Sequence, residues 1–140
     1  CVLLLALRQP GLPLLVLGAT SGRLLSPVLK DLVARNRPTP DSVDVHSVRA
    51  DLAFPSGHAL GATLLYGALI YAIGRTVPDR RLRVALQATC GAMIALMAYA
   101  RVELGEHWPT DVLGGCLLGA MVVEPLAAAH SRLRARRREA

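Results

Sequence analysis

The chain has 140 residues, 53% of them hydrophobic but only 4% aromatic, and a formal net charge of +6. It is short enough for one domain, 1–140, and a Leu/Ala/Val/Gly-rich composition fits membrane helices better than a soluble core. The charge does not indicate nucleic acid: the arginines cluster at Arg75, Arg80, Arg81 and Arg83 and at Arg132, Arg134, Arg136, Arg137 and Arg138, each set flanking an apolar run, with almost no aromatics for base stacking.

Cys1–Leu7 is apolar, with no initiator Met and no basic region before it, so it reads as the tail of a preceding membrane helix rather than a signal peptide. After a polar turn from Arg8 to Gly11, a helix is expected over about 12–33, interrupted by Arg23 and Lys30. Lys30 is the single lysine among sixteen basic residues. Either a compact ammonium is needed there, or the lysine snorkels from a helix end. A loop follows over about 34–57, with Pro38, Pro40, Asp41, Asp44 and Asp51, long enough to carry function. His46 within it reads as a surface histidine.

The next helix is expected over about 58–74. Ser56 is a good N-cap, and the N–H groups at such a helix start can hold an anion. A capped helix with His58 at the membrane interface is the plainer alternative. Helices are expected again over about 83–100 and 109–129, the last interrupted by Glu124 and Pro125, and a basic cytoplasmic tail over 130–140, where His130 reads as incidental. The uncharged runs fall slightly short of the roughly 20 residues that span a bilayer, but their ends extend into the neighbouring motifs. Gly57/Gly61 and Gly115/Gly119 have the spacing that lets helix backbones approach. Cys1, Cys90 and Cys116 show neither metal-ligand nor disulfide spacing. The fold class is all-α, a transmembrane helical bundle.

One stretch concentrates the chemistry, Arg101-Val-Glu-Leu-Gly-Glu-His107-Trp-Pro-Thr-Asp111. If His107 and Asp111 both lie on a helix start they share one face. The carboxylate then accepts the Nδ1–H and leaves Nε2 basic, while Arg101 supplies a forked cation for phosphate oxygens. A helix cap at a wet membrane edge uses the same residues. Topology bears on the choice. By alternation the Arg8 turn, the Arg75–Arg83 turn and the arginine tail share one side, which the positive-inside rule makes cytoplasmic. Lys30, Arg37, His58 and the Arg101–Asp111 stretch then share the outer face. Cations around two histidines suit a phosphate group, one histidine attacking phosphorus and the other protonating the leaving oxygen. No ligand set resembles a metal site.

Lys30-x6-Arg37-Pro38, Pro55-Ser56-Gly57-His58 and Arg101-x5-His107-x3-Asp111 together resemble the three-part signature of the type 2 phosphatidic acid phosphatase superfamily. That group includes bacterial undecaprenyl-pyrophosphate phosphatases and, more distantly, glucose-6-phosphatase and the vanadium haloperoxidases. The resemblance runs from Lys30 to Asp111 and implies a bundle usually of six transmembrane helices, of which one or two N-terminal ones are expected to be missing. It implies His107 as nucleophile, Asp111 orienting it, and His58 as proton donor and then activator of water. Lys30, Arg37 and Arg101 would hold phosphate oxygens, helped by Ser56 and the Gly57 N–H. No cofactor is implied. The expected partners are the membrane and a lipid phosphate, with a polyprenyl pyrophosphate leading and phosphatidic acid or phosphatidylglycerol phosphate as alternatives. A haloperoxidase-like enzyme and a non-catalytic lipid-binding module are the rival readings. Glu103 and Glu106 depart from the pattern; an acid at 106 opposes a bound dianion unless an arginine such as Arg49 neutralises it, and can raise the pKa of His107. Arg23, seven residues before Lys30, can either support the site or pair with Glu124.

Overall fold

A computed structural model describes residues 12–41, 43 and 51–139. Cys1–Leu7, the Arg8 turn, Asp44, His46 and Arg49 lie outside the described residues. The elements are α1 (Leu12–Ser21), a 3-10 turn (Gly22–Leu24), α2 (Leu25–Val33), α3 (Gly57–Thr76), α4 (Arg80–Glu103) and α5 (Pro109–Glu139). The described residues contain no strand, as the sequence pattern requires. Three of the helices, α3, α4 and α5, are long and apolar enough to cross a membrane.

Two expected boundaries are corrected. The single helix over 12–33 is broken at Gly22–Leu24. In an unbroken helix the Pro27 ring would strike the carbonyl four residues earlier; the break places Pro27 in the first turn of α2, where proline is tolerated. The hydroxyls of Thr20 and Ser21 also turn back onto the Val16 and Gly18 carbonyls, which favours ending α1 there. The tail over 130–140 is no separate segment, because α5 continues through Pro125 to Glu139. Arginine is a good helix former, and the Tyr71 hydroxyl on α3 holds His130 Nδ1 at 2.9 Å and Ser131 Oγ at 2.8 Å. His130 therefore fastens α5 to α3.

The central helix is α3, packed against α5, α4 and α1. Leu60, Leu64 and Ala68 meet Leu15 and Ala19 of α1 and Val123 of α5 in the main core; Ile73 and Val77 meet Cys90 of α4 in a second. The two glycine pairs behave differently. A Cβ at Gly115 would lie 2.7 Å from the Ser56 carbonyl oxygen, and one at Gly119 would lie 2.7 Å from Thr63 Cβ. Overpacking of that kind costs about 1–3 kcal/mol, so these two glycines are what lets α5 close on α3. Gly57 and Gly61 face the side chains of Ser26 and Arg23 instead. The close approach has a consequence for the site: the Ser56 N–H donates to the Asp111 carbonyl at 3.0 Å, joining the starts of α3 and α5. On the outside, α4 buries only Cys90, and Leu113, Leu117 and Met121 form a bare apolar stripe along α5. Such surfaces suit lipid.

Candidate active site

Ser56 caps α3, its Oγ accepting from the Ala59 N–H at 3.4 Å. The cap sets His58 in the first turn, facing a cavity of about 340 Å³. Lys30 reaches this cavity from the last turn of α2. There Ala34, in the left-handed conformation with φ 49°, ends the helix through a 2.8 Å bond from its N–H to the Lys30 carbonyl. The chain then turns so that Arg37 enters the same space. His107 arrives from the opposite side, on the turn between α4 and α5, where Gly105 has φ 63°. Lys30, Arg37, Gly57, His58 and His107, five of the expected site residues, thus line one cavity, together with Asp51, Arg23, Ser26 and Pro27.

The remaining three stand behind it. Ser56 is fully buried as the cap, and Asp111 is fully buried at the start of α5. Arg101 donates through Nη1 to Glu106 Oε2 at 2.7 Å, so the acid next to His107 in the chain is neutralised by Arg101. The expected helix-face pairing of His107 with Asp111 is corrected in detail. His107 precedes α5, and its Nδ1 lies 3.8 Å from Asp111 Oδ2, within ion-pair range but too long for a hydrogen bond. Asp111 Oδ2 instead accepts the Trp108 N–H at 2.9 Å, as an acid in the first turn does, and Oδ1 accepts from Arg35 Nη1 at 3.0 Å.

Arg37 fixes the tautomer of His107. Its Nη1 lies 3.2 Å from Nε2, and a guanidinium can only donate, so Nε2 carries the lone pair and Nδ1 the proton. The same Nη1 donates to the Glu106 carbonyl at 2.6 Å. Burial first, then the charges of Arg37 and Lys30, push His107 down to about 4, against smaller opposing effects from the Ala53 backbone and Glu106. A neutral imidazole with an unprotonated ring nitrogen is chemically able to act as a nucleophile.

Sequence reasoning missed two residues. Asp51 bridges the cations: its Oδ2 contacts Lys30 Nζ and accepts from Arg37 Nη2 at 2.9 Å. Partial burial pushes its carboxyl up, but hydrogen bonds and charge from Lys30 and Arg37 outweigh this and hold it at about 2. It is an ionised carboxylate on the two groups expected to hold phosphate. Arg35, two residues before Arg37, goes the other way, to Asp111 and Thr110, with its guanidinium 5.9 Å from the Trp108 ring centre. Its only sequence signal is a second arginine beside a motif. Because Asp51 competes with an incoming anion for the same cations, Asp51→Asn is expected to bind inorganic phosphate about tenfold more tightly, measured by calorimetry. Unchanged or weaker binding would instead make Asp51 a support for Lys30 and Arg37.

Known proteins resemble this chain in sequence and in fold. The profile of the PAP2 superfamily matches residues 11–135. Phosphatidylglycerophosphatase B of Bacillus subtilis is 36% identical over 112 residues, covering 79% of this chain and 53% of that protein. Decaprenylphosphoryl-5-phosphoribose phosphatase of Mycobacterium tuberculosis is 31% identical over 123 residues, covering 85% of this chain and 63% of that protein. The chain therefore spans between about half and two thirds of these relatives. The crystal structure of a transmembrane PAP2-type phosphatidylglycerolphosphate phosphatase from Bacillus subtilis superposes with a TM-score of 0.78 at 25% identity, over 94% of this chain and 67% of that one.

Proposed function

This chain belongs to the PAP2 superfamily, and we propose that it is a membrane phosphatase that hydrolyses a lipid phosphate or pyrophosphate through a phosphohistidine. The observation that carries this reading is the shared cavity of Lys30, Arg37, His58 and His107, with Arg37 holding a neutral His107 lone-pair inward. Phosphate oxygens settle on Lys30 and Arg37, displacing or sharing Asp51. The Nε2 lone pair, released by Arg37, attacks phosphorus; the bond to the lipid oxygen breaks, and protonated His58 gives that oxygen its proton. His58, now neutral, takes a proton from water as the water oxygen attacks phosphohistidine. The P–N bond then breaks, phosphate leaves, and both histidines return to their starting states. Asp111, held by Arg35 and the Trp108 N–H, faces the Nδ1–H and balances the charge that grows on the ring. Arg101 and Ser56 act from behind, one through Glu106 and the other through the α3 cap.

The arginine clusters at the far ends of α3 and α5 support an orientation with this cavity on the extracytoplasmic side. A polyprenyl pyrophosphate remains the leading substrate, with phosphatidylglycerol phosphate and phosphatidic acid as alternatives. The test is phosphate release from each of these lipids with EDTA present. Release from at least one is expected, since the site neutralises phosphate with side-chain cations. Release from none would overturn the reading.

A further inference from the structure

Arg23 is a charged side chain of the cavity wall with no part in the proposed chemistry. It stands where two cavities meet. The first holds the histidines and the phosphate cations; the second, of about 320 Å³, shares Arg23, Gly57 and His58 with it and continues past Gly61 to Leu65, Tyr66 and Met97. Gly61 lies one turn of α3 below His58, about 4.5 Å of helix rise. The Arg23 stem crosses α3 at that level, its Cδ 3.7 Å from where a Gly61 Cβ would be. No ion pair with Glu124 forms, and among the described residues no carboxylate is paired with Arg23. Lys30 and Arg37 share Asp51, Arg35 has Asp111 and Arg101 has Glu106. The second cavity, otherwise mostly apolar, thus opens with a guanidinium.

We propose that Arg23 is a second anion subsite, which selects lipids carrying a further, non-scissile phosphate on the lipid side of the bond being cut. The inference rests on the phosphatase reading. His58 protonates the leaving oxygen, so whatever is bonded to that oxygen lies on the His58 side, away from His107. That side is the mouth of the second cavity, with Arg23 in its wall and apolar side chains beyond to receive a hydrocarbon chain. In a prenyl pyrophosphate the leaving group is itself a phosphate. In phosphatidylglycerol phosphate it is a glycerol bearing a phosphodiester. In phosphatidic acid or a prenyl monophosphate no second phosphate follows, and Arg23 meets no anion. A forked guanidinium is suited to two oxygens of such a group.

The test uses two matched pairs with the protein in lipid vesicles: farnesyl pyrophosphate against farnesyl monophosphate, and phosphatidylglycerol phosphate against phosphatidic acid. For Arg23→Gln, the ratio of kcat/KM within a pair is expected to fall about 10- to 100-fold, the range of one charge-assisted hydrogen bond. Arg23→Lys, which keeps the charge and loses the fork, is expected to recover part of the preference. A fall in the farnesyl pair alone assigns the subsite to a directly bonded phosphate, and a fall in the glycerolipid pair alone to a phosphodiester beyond the glycerol. Ratios unchanged in both pairs, or equal losses on both members of each, overturn the subsite while leaving the phosphatase reading intact. No hydrolysis of any of the four lipids by the unaltered protein would overturn that reading, and the subsite with it.

Discussion

His107→Ala is expected to lower kcat by roughly 10⁴-fold or more, the scale seen when a covalent nucleophile is removed. The loss should be confined to chemistry. The side chain is almost fully buried, but among the described residues its ring makes only one side-chain hydrogen bond, to Arg37, so the helices should remain assembled. A trapping experiment separates the roles of the two histidines. With a radiolabelled phosphate ester and an alkaline quench, the unaltered protein should carry label on histidine, and His107→Ala should carry none. His58→Ala should be slower by about 10²–10⁴-fold on lipid substrates. On an ester with an acidic leaving group, which departs without a proton, it should accumulate label, because the water step still needs His58. Normal turnover by His107→Ala, or label retained in that variant, would remove His107 as the nucleophile.

Arg37→Ala combines two losses and should lower kcat/KM by roughly 10²–10³-fold, comparable to removing one preorganised donor from an anionic transition state. It should also change the pH profile, and the sign is fixed. Burial and the positive charges of Arg37 and Lys30 hold His107 at about 4, below its ordinary 6.5, so the imidazole stays neutral down to that pH. The acid limb assigned to His107 therefore lies near pH 4. Removing the Arg37 charge makes the imidazolium easier to form, and the limb moves up. It does not reach 6.5, because burial is the larger cause and remains. Arg37→Lys keeps the charge and should leave the limb in place while still losing rate, since an ammonium cannot bridge His107, Asp51 and the Glu106 carbonyl together. Profiles of kcat/KM for the three proteins, each scaled to its own maximum, decide the matter. A limb that does not move in Arg37→Ala would separate Arg37 from the titration of His107.

The three long apolar helices were legible because a long apolar run has to satisfy its backbone internally wherever lipid surrounds it, and apart from the far end of α5 their ends moved by only a few residues. The break at Gly22 was less legible, although Pro27 carried the signal: a proline in mid-helix either kinks it or begins a new one. The far end of α5 was obscured for the opposite reason, since Pro125 and a run of arginines look like a stop, while the contact that fastens this end, from Tyr71, is distant in sequence. At the site, three separated motifs named five of the residues that line the cavity and three that stand behind it. Their partners were hidden. Asp51 looked like one acid among several in a loop, and its meeting with Lys30 crosses 21 residues. Arg35 reaches Asp111 across 76. Glu106 was expected to need an arginine to neutralise it, and the turn after α4 folds it back onto Arg101. Sequence spacing reports which groups sit on one helix. It does not report which side chains a turn folds together.

The continuity of α5 carries a mechanical meaning. At 31 residues it is about 46 Å long, against a hydrocarbon layer of about 30 Å. Its first turn holds Asp111, beside His107, and its other end bears Arg132, Arg134 and Arg136. A rod longer than the layer it crosses is held in depth by its charged end, because those guanidiniums seek the phosphates of the opposite leaflet. On the proposed reading, the height of His107 relative to the membrane is then gauged from the far surface, through a single covalent strut. On that reading bilayer thickness becomes a variable of the proposed reaction: a thicker membrane would draw His107 towards the acyl chains, and a thinner one would lift it clear of an anchored substrate.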